Sequence, residues 1–317
     1  MFNLVEKRPW YYLFSTLVII PGLVAMVYSI IEYGSPVRLG VDFQSGSRFV
    51  LKLGGPTTEG EIRNVFERYG FNNPGVTGLG DPADNTWQVR TTFVSADIAD
   101  SIVNDLSTEV APVDKAASSV DSVSPAISKE VTRSAAIAAF IAAAVILVFI
   151  WWAFRRVPNS FHYGVCAISA MIHDILVTMG FMSIMGIFFG WEADALFVTA
   201  MLTVIGFSVQ DTIVVFDRIR ENIPRRRGER FETIANRSLL ETMHRSLATQ
   251  LNAIFVMISI LLFGGDSIKQ FIAVLLVGLL SGTYSSLFHA VPLVVSWEEK
   301  DWQRIFRRRR RPAEAAA

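Results

Sequence analysis

Two carboxylates sit inside runs that are otherwise apolar. Asp211 lies in the stretch Gly206–Asn222, GFSVQDTIVVFDRIREN, which continues an apolar run from Ala195. Asp174 follows His173 near the middle of another such run. An aspartate at the centre of a membrane helix costs about 2.5–3.5 kcal/mol on insertion scales, and ionisable groups there usually mark ion or proton paths. An apolar setting favours the protonated carboxyl, whereas a nearby arginine favours the ionised one. Arg245, in ETMHRSLATQLNA, is the candidate arginine. A carboxyl whose partner comes and goes can load and release a proton. Ser208, Gln210 and Thr212 flank Asp211 as supporting polar groups, and His173 does so for Asp174. Each residue also has a structural reading. Asp211 can act as helix–helix glue, although Ser or Asn would serve at lower cost. Asp174 can be satisfied by His173 or a backbone group, and Arg245 can snorkel to lipid headgroups.

No other chemistry competes strongly. Region 32–132 shows no paired carboxylates with catalytic geometry, no phosphate loop and no nucleophile–base pair, and no enzyme is expected. Gly206-Phe-Ser208 and Ser281-Gly282 superficially suggest a nucleophile elbow, but no strand precedes either. The single cysteine, Cys166, excludes an intrachain disulfide framework and a CxxC metal site. His289, near Pro292, has no second ligand at a useful spacing and reads as a polar contact at a bend. No metal and no cofactor are expected.

The elements that must hold Asp211 and Asp174 are membrane helices. The 317-residue chain is 51% hydrophobic and 18% charged, with a mean hydropathy of +0.39, which fits a polytopic membrane protein. Six segments are apolar over the roughly 20 residues that cross a bilayer: Tyr11–Ile31, Arg133–Phe154, Phe161–Phe189, Ala195–Phe216, Leu247–Phe263 and Phe271–Trp297. The first follows Lys7 and Arg8 without a cleavage site and is expected to be an uncleaved anchor. Lys and Arg gather at the N-terminus, at Arg155 and Arg156, in the 217–246 region and in the tail at 298–317. The positive-inside rule then puts both termini in the cytoplasm and region 32–132 outside. Asp211 falls about two-thirds of the way across, roughly 9 Å along the helix from Asp217.

The expected division is 1–31 for the N-terminus and first span, 32–132 for an outer domain, 133–297 for the other spans and 298–317 for a basic tail. Within the outer region, Ser47–Leu53 and Thr86–Phe93 alternate as strands do, and Val76–Leu79 is a weaker strand. Asp81–Asn85 reads as a turn, and Val113–Val123 as a last strand. Thr58-Glu-Gly-Glu61 is a capping box ahead of one helix. Ser95 opens another through Glu109, with Ile98, Ile102, Val103 and Leu106 on one face. The β-α-β-β-α-β order predicts a small ferredoxin-like α+β domain. Gly206, Ser208 and Thr212, and Gly278, Ser281, Gly282, Ser285 and Ser286, read as close-packing positions. Phe231, Ile234, Ala235, Leu239 and Met243, among arginines, suggest an interfacial helix on anionic lipid. Arg307–Arg311 reads as a topology and lipid signal, with no nucleic acid expected.

GVDFQSGS at Gly40–Ser47, HD at His173–Asp174, VIGFSVQDTIVVFDRIREN at Val204–Asn222 and HRSLATQL at His244–Leu251 together resemble the SecF family of the bacterial protein-export complex SecDF. The resemblance spans nearly the whole chain. It implies a six-helix bundle like half of an RND-superfamily transporter. It also implies a SecD-type partner, and use of the proton motive force to draw exported polypeptide from the SecYEG channel after SecA has pushed it. The family's intramembrane aspartate matches Asp211, and its proton-path arginine matches Arg245. This chain departs from the family at Gln210, where Asn is usual, and at Gln44-Ser45, where Thr-Gly is usual. The alternatives are half of a proton-driven exporter of small or lipid-like molecules, or a non-transporting assembly scaffold.

Overall fold

The computed structural model describes residues 3–72, 74–79, 82–155, 160–226 and 228–299. Arg156, Arg227, Asp81 and the basic tail from Lys300 lie outside the described residues. Two compact units emerge. One runs through Met1–Tyr28, Ala139–Ile184 and Leu196 onward; the other joins Ser29–Ala138 to Met185–Ala195.

The first unit is helical: α1 Arg8–Tyr33, then α5 Pro125–Phe154, α6 Ser160–Phe189, α7 Ala195–Arg225, α8 Phe231–Phe263, α9 Asp266–Ser285 and α10 Val291–Glu298. A five-residue π turn, Ser286–Ala290, links α9 to α10. Among the described residues, six helices or helix runs are long and apolar enough to span a membrane. At Pro292, proline lacks the N–H that would close an ordinary turn, and the wider π turn accommodates it. One end of this unit gathers several chain ends. Leu4 N–H donates to Asn236 Oδ1 at 2.8 Å, His162 meets Glu298 at 2.7 Å, and Arg230 pairs with Glu299 at 3.1 Å.

Two boundaries differ from expectation. The second span begins at Pro125, not Arg133, because proline fits the first helical turn and Ser124 Oγ accepts the Ile127 N–H. The expected interfacial helix is instead the first half of α8, which runs unbroken for 33 residues. No Gly or Pro interrupts it. Its apolar stripe is not left for lipid: Ala235 and Leu239 are buried in one cluster with Val215, Phe216, Ile219 and Val294.

The second unit carries α2 Val41–Gln44, β1 Gly46–Lys52, α3 Glu59–Arg68, β2 Gly75–Leu79, β3 Thr86–Thr91, α4 Ala96–Glu109 and β4 Ser119–Val123. This β-α-β-β-α-β order makes an antiparallel sheet in the order β2-β3-β1-β4. Alternation along β1 turns Phe49 and Leu51 inward onto Ile62, Phe66, Ile102 and Leu106. The Phe49 and Phe66 rings pack edge to face at 5.0 Å. The Thr58–Glu61 capping box forms as predicted. Ser95 starts α4 without a side-chain cap, and Ile98 is 42% exposed, so Ala99 takes its place on the buried stripe. The last strand is shorter than predicted and begins at Ser119.

GVDFQSGS serves this unit structurally. Gly40 N–H donates to the Ala193 carbonyl at 2.7 Å, and Asp42 Oδ2 accepts the Ala195 N–H at 2.9 Å, at the start of α7. Gly46 has φ 120°, and a Cβ there would lie 2.5 Å from the Thr91 carbonyl oxygen. Ser45, with φ 59° and ψ 165°, holds a conformation favoured by glycine, at a cost of about 1–3 kcal/mol. Ser45→Gly is therefore expected to stabilise this unit by about 1 kcal/mol after the entropy cost of glycine. Thermal unfolding should show a higher midpoint for Ser45→Gly and none for Ser45→Ala; equal gains would rule out backbone strain.

Candidate functional site

The buried face of α7 repeats at helical spacing through Val204, Ser208, Asp211, Val215 and Asn222. That periodicity turns Asp211 inward, leaving it 7% exposed. Its hydrogen-bond partner is the Gln250 amide of α8, whose Nε2 donates to Asp211 Oδ2 at 2.6 Å. The amide's other end, Oε1, is buried without a hydrogen-bond partner among the described residues.

Asp174 on α6 is built differently. It is fully buried, and four side chains converge on it. Oδ1 meets His173 Nδ1 at 3.0 Å and accepts from Ser281 at 2.6 Å, while Oδ2 accepts from Ser208 at 2.5 Å and Ser285 at 2.6 Å. Ser281 and Ser285 are four residues apart on α9 and so share a face. Gly278 lets that face approach α7: a Cβ there would stand 2.1 Å from Val204 Cγ2. His173 in turn lies beside His289, with ring centroids 5.1 Å apart, and His289 Nε2 meets Ser169 Oγ at 3.2 Å. His289 is thus a polar contact within the π turn.

The two carboxyls differ in what they can do. Asp174 has its acceptor sites filled and acts as a hub that ties α6, α7 and α9 together. Asp211 has one neutral donor and no ion-pair partner among the described residues, so taking up a proton disrupts only one contact.

The predicted site residues are divided accordingly. Ser208, His173 and Asp174 come together. Thr212 Oγ1 donates to its own helix at the Ser208 carbonyl, 3.0 Å away. Gln210 is exposed and turned away from Asp211's buried face. Gly206 is exposed, and a Cβ built on it would meet no other element within 4 Å, so among the described residues it makes no close helix contact. Arg245 lies on the exposed side of α8 and makes no ion pair with Asp211 in this conformation. Sequence reasoning passed over Gln250, although an amide five residues after Arg245, at the start of an apolar run, was a usable signal. It treated Ser281 and Ser285 as spacers, whereas their hydroxyls bind Asp174.

It also missed Glu192, in the α6–α7 connection of the second unit. Glu192 is 1% exposed. Gln88 Nε2 donates to its Oε1 at 2.8 Å, and Arg90, Arg38 and Arg48 approach it at 3.4, 3.5 and 3.7 Å. Arg48 also pairs with Asp121 at 2.8 Å. Burial holds Arg90 below the usual arginine range, and Arg38 and Arg48 repel it while Glu192 opposes the shift.

Residues 102–300 match the family described as protein export membrane protein SecD/SecF, C-terminal. The chain is 42% identical to the protein translocase subunit SecF of Anaerolinea thermophila, over 99% of this chain and 100% of that protein. It is 43% identical to the SecF of Thermobaculum terrenum, over 97% and 98%. It is 31% identical to Bacillus subtilis SecDF over 94% of this chain but only 38% of that longer protein. A crystal structure of SecDF from Thermus thermophilus, described as a translocon-associated membrane protein, superposes with a TM-score of 0.75 at 26% identity. That match covers 94% of this chain and 39% of the solved one, so the chain spans about two-fifths of it.

Proposed function

Because the chain belongs to the SecD/SecF protein-export membrane family, as a multi-pass, SecF-type translocase subunit, we propose that it uses the proton motive force to assist late-stage polypeptide export through the Sec translocon. The observation that carries this reading is Asp211: an inward-facing carboxyl in a membrane helix, held by one neutral amide and without an ion-pair partner among the described residues. A structural tie would be served by an uncharged group at lower cost. One elementary charge crossing 100 mV yields about 2.3 kcal/mol, enough to bias a helix or domain rearrangement.

In this proposal Asp211 is the proton carrier and Asp174 supports it by holding α7 to α6 and α9. Arg245 tunes the carboxyl in another state of the transport cycle. A SecD-type subunit supplies the other half, as the fused SecDF relative suggests, since this chain aligns with only 38% of it. SecYEG passes the exported unfolded chain, SecA acts upstream, and anionic lipid meets the basic connections. The protein sits in the bacterial cell membrane with both termini cytoplasmic and region 32–132 outside. The gathering of the N-terminal residues, the start of α6, the start of α8 and the end of α10 at one end of the helical unit supports that sidedness.

Cysteine labelling of intact cells tests the sidedness. A cysteine replacing Trp87 should react with an impermeant reagent from outside, and one replacing Arg225 only after lysis. Labelling of both from the same side would overturn the orientation. Loss of proton-dependent export on neutralising Asp211 tests the function itself.

A further inference from the structure

We propose that Gln250 is the protonation sensor of Asp211. Its side-chain amide donates to the ionised carboxylate and turns over to accept the O–H of the carboxylic acid. This rests on the carrier role proposed for Asp211 and assigns the residue that reads the carrier's state.

An amide has a donor end and an acceptor end. Only one end of Gln250 reaches Asp211, at 2.6 Å. The other end is buried and has no hydrogen-bond partner among the described residues, and Gln250 as a whole is 3% exposed. When Asp211 is ionised, Nε2–H donates to Oδ2. When a proton adds to Oδ2, the new O–H needs an acceptor, and Nε2 no longer fits. A half-turn about the terminal Cγ–Cδ bond brings Oε1 to the same place. Each state then keeps one hydrogen bond and leaves one end of the amide unpaired. The two orientations are closely balanced, and the proton decides between them. No bond other than the O–H is made or broken. The motion occurs on α8, so the state of a carboxyl on α7 is passed to a second helix.

Other charged groups do not take this role in the described structure. Asp174 is held by Ser208, Ser281, Ser285 and His173. His289 meets Ser169. Arg245 and His244 lie on the exposed side of α8. On α7 itself, Asp217 pairs with Arg220, and Arg218 with Glu221 and Glu241.

The test is infrared difference spectroscopy between low and high pH, on the chain paired with its SecD-type partner in lipid. Asp211→Asn first identifies the carboxylic C=O band that belongs to Asp211. In the unmodified protein, a glutamine side-chain amide band should change together with it. Gln250→Met keeps length and shape but removes the amide. It should abolish the amide signal and move the acid C=O to the position of a weakly hydrogen-bonded group. It should also raise the midpoint of the band by about half to one pH unit, because the ionised form loses a charge-assisted hydrogen bond and the acid only a neutral one. Gln250→Asn, one methylene short of contact, should behave like Gln250→Met. A purely space-filling Gln250 would leave frequency and midpoint unchanged in both variants, which overturns the proposal. If no band disappears in Asp211→Asn, it is the carrier reading that fails.

Discussion

Glu192→Ala is expected to loosen the sheet-bearing unit by about 3–5 kcal/mol, the usual cost of breaking a buried ion pair by removing one partner. Glu192 is 1% exposed, and the guanidiniums of Arg38, Arg48 and Arg90 stand around it with side-chain exposures of 18%, 25% and 23%. Removing the carboxylate leaves three like charges facing one another. Asp121, already engaged with Arg48, and Asp194 offset them in part. Glu192→Gln keeps the shape and should lose most of the same stability, because the charge is what the arginines require. Amide exchange in Gly46–Lys52 and Thr86–Thr91 should accelerate by about a hundredfold to a few thousandfold, at roughly tenfold per 1.4 kcal/mol. The exposed Glu59–Arg63 pair provides the contrast: Glu59→Ala should change stability by no more than about 1 kcal/mol. Unchanged exchange in Glu192→Ala would mean that the cluster contributes nothing to holding the α6–α7 connection on the sheet.

The fold was legible where local rules act alone. Hydropathy located six spans, since about 20 apolar residues leave few alternatives in a bilayer. Alternation and the Thr58–Glu61 box located the strands and helices of the smaller unit. What escaped was decided by neighbours distant in sequence. Ile98 looked apolar and periodic, yet Ala99, three residues before Ile102, took the buried place in the first turn. The first half of α8 read as a lipid-surface helix because its cover, the end of α7 and α10, is invisible in a local window.

The site divided in the same way. Asp174 and Asp211 stood out by charge in apolar runs, a signal that needs no partner. Their partners did not stand out. Ser281 and Ser285 resemble packing residues until a carboxylate is placed against them. Gln210 adjoins Asp211 in sequence but lies on another side of α7, whereas Gln250 reaches it from 39 positions away. Glu192 was a lone acid in a short connection, and nothing in the neighbouring residues marked the three arginines waiting for it.

Asp211→Asn is the second large effect expected. The amide nearly preserves size and can still hydrogen-bond to Gln250, so insertion, pairing with the SecD-type subunit and unfolding should shift by about 1 kcal/mol or less. What it cannot do is bind and release a proton at this site. Asp211→Glu titrates but extends about one methylene further, so it should keep part of the activity. Arg245→Ala should impair coupling, and Arg245→Lys should retain some, since Lys keeps the charge without the planar fork. The deciding measurement is late-stage translocation of a secretory precursor into vesicles bearing the complex, with and without an uncoupler. The unmodified protein should lose its proton-driven advantage when the uncoupler is added, and Asp211→Asn should show no advantage in either condition. A full, uncoupler-sensitive response from Asp211→Asn, at normal expression and pairing, would contradict the carrier role and leave Asp211 as a tie between helices.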